Sequence, residues 1–143
     1  MALKFAMVGC GRISGKYGEI LTKGHVQGGT LVAACDIRED RARDFGRKYE
    51  VPVYFNPHDM LEREPDIDVL CILTPSGLHA EHTIELSKYG KHMVVEKPMA
   101  LTIDDADAMI HACDREGVRL FVVKQNRYNK PVQKLRHALD QGR

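Results

Sequence analysis

Six short apolar runs alternate along the chain with longer segments whose apolar positions recur at helical spacing, and this alternation predicts parallel strands joined by helical crossovers. The runs fall at 3–8, 30–35, 53–55, 69–73, 92–95 and 120–123. The 30–35 and 69–73 runs are apolar at nearly every position, as strands covered on both faces must be. The helical segments carry their own punctuation. One spans 13 to about 23 and stops at Gly24, a residue suited to a left-handed cap. The next, 38–49, sets Ala42, Phe45 and Tyr49 on one face and a Glu39–Arg43 pair on the other, and Pro52 marks its end. Asn56-Pro57 opens a short helix to about 63, and the segment 78–89 is closed by Gly90. Thr102, with Asp105 at the capping-box position, starts a helix in which Ala106, Met109, Ile110 and Cys113 fall at helical spacing before Gly117 stops it. Asn129-Lys130-Pro131 begins a last helix carrying Val132, Leu135 and Leu139 and running to Gly142.

Six strands with a long gap after the third match a doubly wound α/β sheet of order 3-2-1-4-5-6, whose order reverses beside the first strand. Residues 1–143 make one such domain, and a second full domain does not fit in this length. Composition narrows the function classes. Lys and Arg total 21 against 20 Asp and Glu, a net charge of +1, so no basic field argues for nucleic acid and the partner is sought in a pocket. The longest apolar runs are only a few residues, too short for a membrane span, and the first residues lack the apolar stretch of a signal peptide, so a cytoplasmic protein is expected. Four cysteines (Cys10, Cys35, Cys71, Cys113) lie scattered without a Cys-x-x-Cys pair and read as reduced, mostly buried small hydrophobes. Among seven histidines only His79 and His82 are close in sequence, and no further ligand cluster accompanies them, so no metal site is expected.

Candidate chemistry concentrates where strands end. Gly9-Cys10-Gly11-Arg12-Ile13-Ser14 joins the first strand to the first helix through two glycines, bringing bare backbone and a helix N-terminus up to a negative charge, as a dinucleotide pyrophosphate requires. Ser14 stands where the usual Rossmann pattern has its third glycine, and another small residue there serves with slightly more separation. Asp36, 25 residues after Gly11 at the end of the second strand, suits the adenosine ribose hydroxyls and would repel a 2′-phosphate. It could equally cap the following helix. Arg38 could partly neutralise a phosphate, so NAD is preferred over NADP without NADP being excluded. Thr74-Pro75-Ser76-Gly77-Leu78-His79 follows the fourth strand and either flanks the cofactor or is ordinary turn punctuation. Glu96-Lys97-Pro98 ends the fifth strand with two charges that are either a solvated pair or a catalytic one, Lys97 exchanging a proton with a substrate hydroxyl while Glu96 orients it or caps backbone N–H groups. Gln125-Asn126-Arg127-Tyr128 follows the sixth strand, and its amide and guanidinium groups could hold a carboxamide, a sugar hydroxyl or a phosphate.

Gly9-Cys10-Gly11-Arg12-Ile13, Thr74-Pro75-Ser76-Gly77-Leu78-His79, Glu96-Lys97-Pro98 and Gln125-Asn126-Arg127 together resemble the Gfo/Idh/MocA oxidoreductases over essentially the whole chain. The segment from Phe121 to Asn129 looks most like the branch that oxidises C3 of UDP-N-acetylglucosaminuronic acid on the way to diacetamido sugars of bacterial surface polysaccharide. The resemblance implies NAD(P) chemistry in which Lys97 hydrogen-bonds the reacting hydroxyl while hydride passes to the nicotinamide. Gly9, Gly11, Arg12, Ile13, Asp36, Arg38, Thr74, Pro75, Ser76, His79, Glu96, Lys97, Gln125 and Arg127 would then lie along the cofactor. It further implies a second, sheet-rich domain, outside these residues, that supplies a catalytic His or Asp, most substrate contacts and a homo-oligomer interface. The isolated chain is therefore expected to bind cofactor but scarcely turn over. Ser76 stands where the family commonly has Asn, which leaves a side-chain amide contact there unsupported. Action on a free sugar or inositol, and NAD binding without redox chemistry, are the alternatives.

Overall fold

The computed structural model describes residues 2–142. Strands β1 (Leu3–Val8), β2 (Gly29–Cys35), β3 (Val53–Tyr54), β4 (Val69–Ile72), β5 (His92–Val95) and β6 (Leu120–Val122) form one parallel sheet in the expected order β3-β2-β1-β4-β5-β6. Helices α1 (Ser14–Thr22), α2 (Glu39–Tyr49), α3 (Pro57–Arg63), α4 (His79–Ser87), α5 (Ile103–Arg115) and α6 (Lys130–Asp140) connect or follow them. No helix among the described residues is long and apolar enough to cross a membrane.

Both sheet faces are covered. On one, Ala6, Val8, Leu70, Ile72, Met93 and Val95 pack with Met60 of α3, Leu86 of α4 and Met109 of α5. On the other, Met7, Ala34, Cys71 and Leu73 pack with Leu21 of α1 and Phe45 of α2. A register shift between Phe5 and Ala6 inserts Val32 as a bulge in β2, so Leu31 faces the α1–α2 side while Ala33 faces the other. An unbroken apolar run conceals such a shift, because either side chain suits either covered face.

The helix signals hold locally. Asn56 Oδ1 accepts the His58 N–H at 2.8 Å with Pro57 opening α3, Gly24 adopts φ +71°, and Glu39–Arg43 pairs at 3.0 Å. At α5, Thr102 Oγ1 accepts the Asp105 N–H at 3.1 Å and donates to the Asp105 carboxylate at 2.7 Å. Thr102→Ala removes that cap, and a urea midpoint lowered by the equivalent of about 1 kcal/mol is expected. The segment expected as one helix over 78–89 instead starts with a 3₁₀ turn at Ser76–Leu78, which lets His79 open α4 from inside the protein. The last helix differs more. Helix α6 has no buried residue, and its apolar Val132, Leu135 and Leu139 are 38%, 60% and 61% exposed, because no element of residues 2–142 covers that face.

Candidate functional site

Strand register sets the site. Tyr54, Cys35, Val8, Ile72, Val95 and Val122 are ladder partners in one continuous row across the sheet, so all six strands end level. The residue after every strand but β3 still donates its N–H to the neighbour: Gly9 to Cys35 O at 2.8 Å, Asp36 to Tyr54 O at 3.2 Å, Leu73 to Val8 O at 2.8 Å, Glu96 to Ile72 O at 3.2 Å and Val123 to Val95 O at 2.9 Å. The glycine loop, Asp36, the Thr74 loop, Glu96-Lys97 and the Gln125 segment therefore leave the sheet from one edge, flanking the reversal of strand order between β1 and β4.

The glycine loop is shaped by close approach on one side and openness on the other. Gly9 has φ +103°, and a Cβ there would stand 2.8 Å from Leu73 C and 2.9 Å from Leu73 O and Thr74 N. At Gly11 a Cβ would meet nothing within 4 Å. The backbone N–H groups of Gly11, Arg12 and Ile13 have no hydrogen-bond partner among the described residues, while Arg12 and Ile13 are exposed at the mouth of α1. Unpartnered donors beside open space and a helix N-terminus are what an anionic pyrophosphate needs, so these residues fit the group. Ser14 is buried and its hydroxyl donates to Gly11 O at 2.6 Å, pulling the loop onto the helix. The tight glycine of α1 lies one turn further on: a Cβ on Gly18 would be 2.6 Å from the Tyr49 ring of α2, and the Tyr49 hydroxyl donates to Gly15 O at 2.7 Å.

Asp36 is buried and both its oxygens are occupied by backbone, Oδ2 accepting the Cys10 N–H at 2.7 Å and Oδ1 the Arg38 N–H at 2.8 Å. Asp36 thus fills the helix-start reading through the Arg38 N–H and in addition fixes the glycine loop through the Cys10 N–H. The Arg38 guanidinium lies against Asp40, with contacts of 3.2 and 2.8 Å, because the first turn of α2 is acidic and attracts it.

His79 departs from a cofactor-facing role. It is 2% exposed, with Nδ1 2.7 Å from Pro98 O and Nε2 2.9 Å from Thr74 O. It reaches the crevice only through those two carbonyls, tying the Thr74 loop to the Lys97-Pro98 segment, whose peptide bond is cis. His82, not expected at the site, bonds the Thr74 hydroxyl through Nδ1 at 3.0 Å, and burial depresses its basicity against the opposing pull of Glu81 and Glu85. Pro75 and Ser76 are exposed at the rim.

Glu96 is half-buried. Its Oε1 accepts the Tyr17 hydroxyl at 2.8 Å and its Oε2 the Lys97 N–H at 3.1 Å, while Lys97 is exposed. Burial first, and the Glu96 carboxylate second, push the Tyr17 phenol well above its ordinary value. Beside them, Lys97, Lys124, Gln125, Asn126, Arg127 and Val132 line a pocket of about 380 Å³ that holds three cations. Gln125 and Arg127 lie in the 3₁₀ turn Gln125–Tyr128. Tyr17 carries a faint sequence signal, a polar aromatic in the first turn after the glycine loop, close to the buried positions Ser14, Gly18 and Leu21.

The cysteines offer no nucleophile. Cys10, although in the glycine loop, is pushed up to about 12 by burial and by the Asp36 charge, and Cys35 and Cys71 rise to about 12 as well, all three chiefly through burial. At about pH 8 fewer than about one such thiol in a thousand is ionised, so alkylation of the native chain is expected to be slow and to accelerate sharply on unfolding in urea. Mass-spectrometric counting of modified cysteines checks it.

Known proteins agree with this geometry. A family model described as "Oxidoreductase family, NAD-binding Rossmann fold", that of the Gfo/Idh/MocA proteins, matches residues 3–124. The WlbA dehydrogenase of Bordetella pertussis, solved in complex with NADH and UDP-GlcNAcA, superimposes with a TM-score of 0.94 at 39% identity, covering 100% of this chain and 43% of that one. WlbA from Chromobacterium violaceum, with the same two ligands, gives 0.93 at 37% identity, covering 99% and 41%. A myo-inositol 2-dehydrogenase of Thermotoga maritima is 31% identical over 141 residues, 98% of this chain and 41% of its own length. The chain spans about two-fifths of the length of these relatives.

Proposed function

Because this chain belongs to the Gfo/Idh/MocA oxidoreductases and comprises their NAD-binding Rossmann domain, we propose that it is the cofactor half of an enzyme that oxidises C3 of a UDP-N-acetyl-hexosaminuronic acid. The observation that carries the substrate class is the pocket of about 380 Å³ beside Lys97, whose lining residues include Lys124, Arg127 and two amides. Beyond Lys97, which serves the reacting hydroxyl in either case, Lys124 and Arg127 suit a ligand that brings a carboxylate and a diphosphate, groups that a neutral polyol lacks. The UDP-GlcNAcA bound by two WlbA proteins of 39% and 37% identity supports the same class.

In this reading the pyrophosphate lies on the free N–H groups of the glycine loop, and Asp36 takes the adenosine ribose, its negative charge favouring NAD over NADP. Bound NAD would supply the hydride acceptor. The Lys97 ammonium donates a hydrogen bond to the reacting oxygen and stabilises the negative charge that grows there as its proton passes to a carboxylate or imidazole base of the second domain, while Gln125 and Arg127 orient the sugar's polar groups. The 31% identity to an inositol dehydrogenase favours a second reading, oxidation of a cyclic polyol by NAD with its hydroxyl held by the same Lys97.

One experiment separates them. The full gene product is given NAD with either UDP-GlcNAcA or myo-inositol, and NADH formation is followed by absorbance. Turnover of the nucleotide sugar alone is the expected result; turnover of myo-inositol alone transfers the proposal to the polyol reading, and NADH formation from neither removes both.

A further inference from the structure

We propose that Tyr17 is a positioning residue for the nicotinamide end of the crevice, acting through Glu96 on the backbone turn that presents Lys97. The inference rests on the reading that the crevice takes NAD with its nicotinamide toward Lys97. Tyr17 lies on α1, the helix that carries the glycine loop, whereas Glu96 leaves β5, separated from β1 by β4. Their 2.8 Å hydrogen bond therefore joins the pyrophosphate side of the site to the catalytic side, across the reversal of strand order.

The bond divides the labour of one carboxylate. Glu96 Oε1 accepts from the Tyr17 phenol and Oε2 from the Lys97 N–H at 3.1 Å. Neither Glu96 nor Lys97 joins an ion pair among the described residues, so Glu96 holds Lys97 by its main chain and leaves the ammonium free for a ligand. A half-buried carboxylate oxygen that loses its donor is poorly satisfied where it stands, and rotation toward water is the cheaper outcome. That rotation carries Oε2 off the Lys97 N–H. The ring of Tyr17 packs with the α1–α2 side of the core, a task phenylalanine performs equally, so the hydroxyl is left with the Glu96 contact as its distinct role.

The test uses the chain itself with two ligands, NADH and ADP-ribose, which share the adenosine diphosphate ribose portion and differ by the nicotinamide. Dissociation constants are measured by calorimetry for wild type, Tyr17→Phe, Glu96→Ala and the double variant. Tyr17→Phe is expected to weaken NADH by about five- to tenfold, the scale of one lost hydrogen bond, and to leave ADP-ribose within about twofold. In the Glu96→Ala background it should weaken NADH no further. Retained ADP-ribose binding also reports that the variant is folded. The proposal is overturned if NADH binds Tyr17→Phe as it binds wild type, if both ligands weaken together, or if the two substitutions are additive. Failure of wild type to bind either ligand is a different outcome, since it removes the NAD reading itself and the inference with it.

Discussion

Gly9→Ala is expected to unfold much of the population under conditions in which wild type is stable. Its Cβ would lie 2.8–2.9 Å from the backbone of Leu73 and Thr74, atoms held by the β1–β4 ladder, and φ is +103°. Backbone strain of about 1–3 kcal/mol and overpacking of about 1–3 kcal/mol act together. Their sum is a large part of the roughly 5–15 kcal/mol that holds a domain folded. The urea midpoint of the far-ultraviolet circular dichroism signal reads the loss. Gly11→Ala is the informative contrast: its methyl meets nothing within 4 Å, so the midpoint should barely move. NADH affinity should nevertheless fall, because that methyl occupies space the diphosphate needs. If Gly11→Ala proves as destabilising as Gly9→Ala, the division of the loop into a packed and an open glycine is wrong.

The second large effect concerns chemistry. In the full gene product, Lys97→Met is expected to lower kcat by about 10²–10³-fold, the usual loss when one donor to a developing oxyanion is removed. NADH affinity should change far less, since in the proposed binding mode the adenosine and diphosphate rest on the glycine loop and Asp36. Methionine keeps much of the side-chain length and apolar stem, so the loss is assigned to the ammonium. Stopped-flow measurement of a single turnover tells slowed hydride transfer from slowed product release. A single-turnover rate within about twofold of wild type would remove Lys97 from the reaction.

Much of this organisation is legible in the sequence. The strand order follows from alternation and crossover handedness, and the glycine loop, Asp36, Thr74, Lys97 and Gln125 emerge at one edge because all follow strand ends. What stays hidden is pairwise and tertiary. Nothing local distinguishes Gly18, pressed on Tyr49, from an ordinary helix glycine. The bulge at Val32 is silent in a run where every residue is apolar. His79 looks like a polar helix start and is instead buried, because the 3₁₀ turn before it swings the helix origin inward toward two carbonyls. Tyr17 and Glu96 are 79 positions apart, and only the fold pairs them. Arg38 is legible as a cation two residues beyond Asp36 but not as one held by Asp40.

The level row formed by Val8, Cys35, Ile72, Val95 and Val122 gives the domain a rail from which its loops hang. Lengthening or exchanging the segment after β4 or β6 changes what is grasped without moving where the grasp begins, whereas a residue added within a strand would tilt the rail for every neighbour. A loop exchanged at this edge therefore changes contacts to a ligand while the strand ends that set its starting point keep their register.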